Sequence, residues 1–135
     1  MTDHMEHDPL NPSYYKGGIP GVGLEVIEYT RHMCFTLGNA FKYVARAGAK
    51  GSLQEDLGKA VWYLRAYAAD MSEAHKLGDS PIPGELLDTI DWKRSGRANL
   101  LRLIALGEHK EALAAIEGYI RVLDCGAGVD LDEKA

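Results

Sequence analysis

Residues 37–64 read LGNAFKYVARAGAKGSLQEDLGKAVWYL. Asn39, Lys42 and Arg46 recur three and four positions apart, the spacing that puts side chains on one face of a helix. Lys50 follows in a glycine-broken turn, and Glu55, Asp56, Lys59 and Tyr63 continue beyond it. An arginine offers a planar fork for phosphate oxygens and a lysine a compact ammonium charge. A carboxylate such as Asp56 can hold those cations in place. The chemistry this set suits is the binding or transfer of a phosphorylated ligand, with Lys42, Arg46, Lys59 and Asp56 as the candidate reactive group. The competing reading is a solvated, charged helix face whose surface pairs contribute little.

Two helices must position these residues. Leu37, Phe41 and Val44 make the apolar stripe of one, with Ala40 and Ala45 as small fillers, and it opens at Thr36 or its neighbours. The run 47–51, AGAKG, ends it, glycine serving a left-handed cap. Ser52 followed by Glu55 is a capping box for the next helix, expected over residues 53–76 with Leu57, Val61, Leu64, Tyr67, Ala68 and Met71 buried. If the two helices form an antiparallel hairpin through their apolar faces, both polar stripes flank one cleft.

The flanking segments are read more simply. Residues 1–11 form a polar tail, and His4 and His7 with Asp3, Glu6 and Asp8 are too loosely held there to make a metal site. Residues 12–23, PSYYKGGIPGVG, carry prolines and glycines that exclude regular structure. That loop is either only a turn or a ligand-covering segment with backbone N–H donors and Tyr14 or Tyr15 as a stacking face. A short helix is expected over residues 24–33, with Glu25 and Glu28 on one face. Residues 78–84 are a linker, followed by a short segment at 86–92 and helices near 97–106 and 110–123, broken at Gly107. The hairpin from Leu100 to Ile120 either packs on the chain's own third helix or forms a surface for self-association. The expected class is therefore all-α: a central helical hairpin in a core at 12–77, with a C-terminal helical extension at 78–135. Neither strand alternation nor a solenoid repeat is present.

Composition narrows the partners. At 135 residues and a formal charge of -5 the chain suits one mildly acidic domain, with no bulk signal for duplex nucleic acid or a membrane surface. No apolar run approaches the roughly 18 residues of a membrane span, and a soluble cytoplasmic protein is expected. Cys34 lies in the apolar helical pattern and Cys125 past the last helix, and the pair reads as incidental thiols. No G-x-x-x-x-G-K-[ST] motif and no G-x-G-x-x-G motif occur, so any nucleotide site lacks the P-loop and Rossmann cradles.

The order PSYYKGG, LGNAFKYVARAGAKG and EDLGKAVWYL resembles the SaV-like family of small phage proteins, which includes the nucleotide kinase of T7-type phages acting on deoxynucleoside monophosphates. The likeness runs from about Pro12 to Tyr67. It implies a phage origin, action in the cytoplasm of the infected host cell and a role in nucleotide metabolism. By motif, it carries ligand contacts onto Tyr15, Lys16 and Gly18 in the loop. It also marks Gly38, Asn39, Lys42, Tyr43, Arg46, Gly48 and Lys50 in the central block, and Asp56, Leu57, Lys59, Trp62, Tyr63 and Leu64 in the third. The family's loop histidine is replaced here by Tyr14. A second likeness, to all-helical MazG-type nucleotide pyrophosphohydrolases, rests on Glu25-x-x-Glu28 and Asp56-x-x-Lys59. Where those enzymes place a final magnesium-binding carboxylate, this chain has Lys59, so cations would replace part of the metal's electrostatic work.

Four functional expectations follow. The first is a deoxynucleoside monophosphate kinase, with a nucleoside triphosphate as phosphate donor and magnesium dependence open. The second is a protein that captures nucleotides or nucleotide second messengers unchanged, as in phage counter-defence. The third is a MazG-like hydrolase with an altered metal site, and the fourth an interaction module without nucleotide chemistry. Nucleotides and further copies of the chain are the expected partners.

Overall fold

The computed structural model describes residues 19–70 and 82–134. These contain six helices and no strand: α1 Val26–Thr30, α2 Phe35–Arg46, α3 Leu53–Ala69, α4 Gly84–Leu87, α5 Gly96–Ala105 and α6 His109–Asp124. The all-α class is as expected. One isolated antiparallel bridge, Val22 to Ile90, ties the segment before α1 to the turn after α4. Around it the Asp91 amide donates to the Gly21 carbonyl at 2.7 Å. Gly21 holds φ +84 with Arg94 Cβ 2.7 Å from where a side chain would begin, so only glycine fits this crossing.

The central hairpin forms as its spacing predicts. Leu37, Ala40, Phe41, Val44 and Ala45 are the buried residues of α2, and Leu57, Ala60, Val61, Leu64 and Tyr67 lie on the buried face of α3. Facing pairs run in opposite chain directions: Arg46 meets Asp56, whereas Tyr43 meets Lys59 and Tyr63. The hairpin is therefore antiparallel. Between the helices Gly48 takes φ +83 and the Ala49 amide donates to the Arg46 carbonyl at 2.8 Å. Ser52 then caps α3, its hydroxyl accepting from the Glu55 amide at 3.2 Å.

Two boundaries and one burial differ from the expectation. Cys34 is the N-cap of α2, with ψ 166, and not an interior helical residue. The third helix ends at Ala69, because Asp70 is extended at φ -86, ψ 118 and its amide closes the last turn onto Ala66 and Tyr67. The expected continuation to Lys76, with Met71 buried, lies in residues outside those described. Ala68 is exposed, since it sits a third of a turn past Tyr67 and off the face that the other helices cover.

The C-terminal hairpin completes the core. Its helix α6 packs along α3, and α5 packs against α2. Leu100, Ile104, Ala112 and Ile116 are fully buried. The Leu100 to Ile120 hairpin thus packs on the chain's own core. Ser95, itself buried, caps α5 by accepting from the Ala98 amide at 3.0 Å. Gly107, at φ +78, turns the chain into α6.

Candidate functional site

The polar stripe of α2 faces the polar stripe of α3, and what they enclose is an aromatic ring. The ammonium of Lys42 lies 4.8 Å from the centroid of Tyr43. The guanidinium carbon of Arg46 and the ammonium of Lys59 each lie 5.4 Å from the same centroid. Two helices thus bring three cations round one ring, where the π-face quadrupole offsets part of their mutual repulsion. Tyr63 stacks on Tyr43, 5.8 Å between centroids and 13° between planes. Phe35 and Trp62 both meet Tyr63 edge-on, at 6.1 and 5.0 Å. Phe35 and Trp62 are 75% and 65% exposed, so their faces are open to a ligand.

Asp56 anchors this group from beneath. Its side chain is 3% exposed and its Oδ1 lies 3.8 Å from Arg46 Nε, within ion-pair reach but outside hydrogen-bonding distance. Among the described residues Asp56 Oδ2 accepts no hydrogen bond. A buried carboxylate with one oxygen left without a hydrogen bond carries a desolvation cost, which the ion pair with Arg46 offsets in part.

The remaining candidate residues are distributed less tightly. Asn39 donates from Nδ2 to the Phe35 carbonyl at 2.8 Å, which holds its amide along α2. Glu25 lies with Asn39 and Lys42 in the wall of a cavity of about 550 Å³ between α1 and α2. Glu28 is turned elsewhere and lies 3.9 Å from Arg31. Lys50 is exposed in the turn after α2. Tyr14, Tyr15, Lys16 and Gly18 lie outside the described residues. Glu25, Glu28 and Asp56 are not brought together, and among the described residues no three His, Cys, Asp or Glu side chains are placed to hold a metal ion.

Phe35 escaped the sequence reading and Trp62 was marked there only through the family resemblance, although one signal in the residues themselves pointed to each. Phe35 shares a face with Asn39, Lys42 and Arg46 at spacings of four, three and four, so it is an aromatic side chain on a polar stripe. Trp62 stands three residues after Lys59 on the outer side of α3. An apolar ring at a position that helical spacing sends to solvent is the informative feature in both cases. A third participant, Arg97, acts from α5. Its Nη1 donates to the carbonyls of Val44 and Ala45 at 2.7 and 3.3 Å, and its Nε and Nη2 bind the two oxygens of Asp132 at 2.8 and 3.1 Å. It caps the end of α2 from which Arg46 projects.

Residues 10–65 match a family described as a protein of unknown function, DUF3310. The match spans α1, α2 and most of α3, and so includes every residue of the cation and aromatic cluster. Neither the curated proteins nor the solved structures contain a match to the chain. No helix among the described residues is long and apolar enough to cross a membrane.

Proposed function

We propose that the α2–α3 face binds the phosphates of a nucleotide and that the protein is a deoxynucleoside monophosphate kinase without a P-loop. The observation that supports it is the convergence of Lys42, Arg46 and Lys59 from two helices on Tyr43, beside the open rings of Phe35 and Trp62. Phosphoryl transfer asks a protein mainly to position two phosphates and neutralise charge as it develops. A monophosphate oxygen attacks the γ-phosphorus of a nucleoside triphosphate, the bond from that phosphorus to the β–γ bridging oxygen breaks, and two diphosphates leave. Lys42 and Lys59 would hold the incoming phosphates, and Arg46 would stabilise the charge on the group in transit. Asp56 acts through Arg46 as a positioning residue. The kinase assignment, and the phage setting with it, comes from the resemblance to SaV-like proteins.

The test is to incubate the full-length protein with each deoxynucleoside monophosphate and a triphosphate donor, with and without magnesium, and to separate the products by chromatography. Diphosphate formation that disappears in Arg46→Ala, with the helical circular-dichroism signal retained, is the expected result. Tight binding with every nucleotide recovered intact would replace the kinase by a capture protein. No binding at millimolar nucleotide would leave the face without this function.

A further inference from the structure

The cation cluster and the α1–α2 cavity share a rim. Lys42 lies both in the cavity wall and over Tyr43. Phe35 lines the cavity and also packs edge-on against Tyr63. A ligand seated on the cations therefore has the cavity mouth beside it. With the phosphate role of the cluster as its basis, we infer that this cavity receives the nucleoside half of a single 5′-mononucleotide whose phosphate lies against Lys42, Arg46 and Lys59.

The cavity suits that occupant in size, lining and charge. Its volume of about 550 Å³ falls within the roughly 300–1,000 Å³ of small-molecule sites. The walls are more apolar than polar, with Ile27 on α1 and Phe35 on α2 among the apolar side chains. Phe35, three-quarters exposed, offers a face on which any base can stack. Glu25, Thr30 and Asn39 are the uncharged or acidic polar side chains of the wall that can meet a sugar hydroxyl or a base edge: the carboxylate accepts, and the hydroxyl and the amide both donate and accept. The two carboxylates thus divide the work, Asp56 fixing Arg46 beneath the phosphates and Glu25 meeting the nucleoside. A second copy of the chain is a poorer complement, because a symmetric contact through this face would set Lys42, Arg46 and Lys59 against themselves. An anionic mononucleotide matches both halves.

Gly38 gives the means to separate the halves. A Cβ there would meet Met33 Cβ and Thr30 Cβ at 3.7 Å and the Thr30 carbonyl at 3.8 Å, ordinary contacts, so a Cβ is accepted in the cavity wall and a longer side chain built on it takes up cavity space. Calorimetry on the full-length protein would compare the four deoxynucleoside 5′-monophosphates, deoxyribose 5-phosphate and inorganic pyrophosphate. At least one mononucleotide should bind about tenfold or more tighter than deoxyribose 5-phosphate, the worth of one stacked base. Gly38→Met should weaken the mononucleotide about fivefold more than deoxyribose 5-phosphate and so reduce that advantage to about twofold or less, and Lys59→Gln should weaken both ligands together. Phe35→Ala, at a solvent-exposed position, gives the same comparison without disturbing the core and should also shrink the advantage.

If a base adds nothing to affinity, or if Gly38→Met and Phe35→Ala leave the advantage intact, the nucleoside does not occupy this cavity, and the phosphate site stands without it. If neither pyrophosphate, deoxyribose 5-phosphate nor any mononucleotide binds, the phosphate site itself is wrong and this inference falls with it.

Discussion

Arg46 and Asp56 show how a site is held at the scale of single side chains. The aspartate is 2% exposed, and the one cation within ion-pair reach of it among the described residues is also one of the three gathered round Tyr43. Removing Arg46 strands a buried carboxylate, whereas removing both partners leaves only a small gap to repack. Arg46→Ala should therefore lower the unfolding free energy by about 1–3 kcal/mol, and the Arg46→Ala/Asp56→Ala double variant should lose less than the sum of the single losses. Urea unfolding of the four proteins checks it. Strict additivity would mean that the pair contributes nothing. Tyr67 gives a second residue-scale prediction. Burial, with a smaller push from the Cys34 sulfur, raises its phenol above the ordinary value of 10.0. The unfolded chain then releases this proton first. The stability contribution is complete below about pH 10 and is lost as the pH climbs from there toward the folded value. Melting temperature should fall over that window, and Tyr67→Phe should flatten the fall. An equal slope in the variant would show that other groups drive alkaline unfolding.

At the scale of elements, α2 carries most of the site and depends on an arginine far away in sequence. The last carbonyls of a helix have no partner within it. Here Arg97 takes those of Val44 and Ala45, placing a positive charge where the helix dipole favours one, and Asp132 holds the guanidinium from its other side. Arg97→Met should cost about 2–4 kcal/mol, because it uncaps α2 and unpairs Asp132 together. Asp132→Asn should cost only about 1 kcal/mol, its carboxylate being 40% exposed. Arg97→Met should also weaken nucleotide binding, since Arg46 directly follows the residue whose carbonyl is released. Denaturant titration and the hydrogen-exchange rate of the Ala49 amide, which bonds the Arg46 carbonyl, measure the two effects. An unchanged exchange rate would mean that Arg97 serves the tail and not the helix end.

The same helix marks how far the sequence could be read. The α2 stripe, the Gly48 cap and the Ser52 N-cap are local signals, and each formed where its spacing put it. The facing of Lys42 and Arg46 toward Lys59 followed from the same periodicity. Arg97 could not be read in this way, because its partners lie 53, 52 and 35 residues distant and no local pattern links them. The end of α3 was misjudged because helix-forming residues continue past Ala69, while Asp70 leaves the helix through its own backbone dihedrals. The cavity was invisible because it is bounded by two helices whose separation no sequence spacing records.

The whole molecule raises a different question, whether the half that carries the site can stand alone. The family match covers residues 10–65 and the candidate cluster lies inside it. The buried face of α2, however, is covered by α5, and that of α3 by α6. Ala98, Leu100, Leu101, Ile104 and Ala105 on α5, and Ala112 and Ile116 on α6, are all at 0% exposure in one continuous core with Leu37, Phe41, Leu57 and Leu64. Near the C-terminus Leu131 is 2% exposed, and its carbonyl receives the Arg97 amide at 2.8 Å, so the final turns close the same core. Each large apolar side chain returned to water costs about 1.5–3 kcal/mol, and a domain's net stability is only roughly 5–15 kcal/mol. Cutting the chain after residue 77 exposes the partners of all these residues at once, which exceeds any such margin. A fragment of residues 1–77 should therefore show partial helicity without cooperative unfolding and should bind no nucleotide. Adding a fragment of residues 78–135 should restore a sharp thermal transition, because the two pieces share one core. The measurement is circular dichroism of each fragment and of their equimolar mixture through a melt. A cooperative transition in the first fragment alone would show that the hairpin needs no cover, and would reduce α5 and α6 to an appendage of the site.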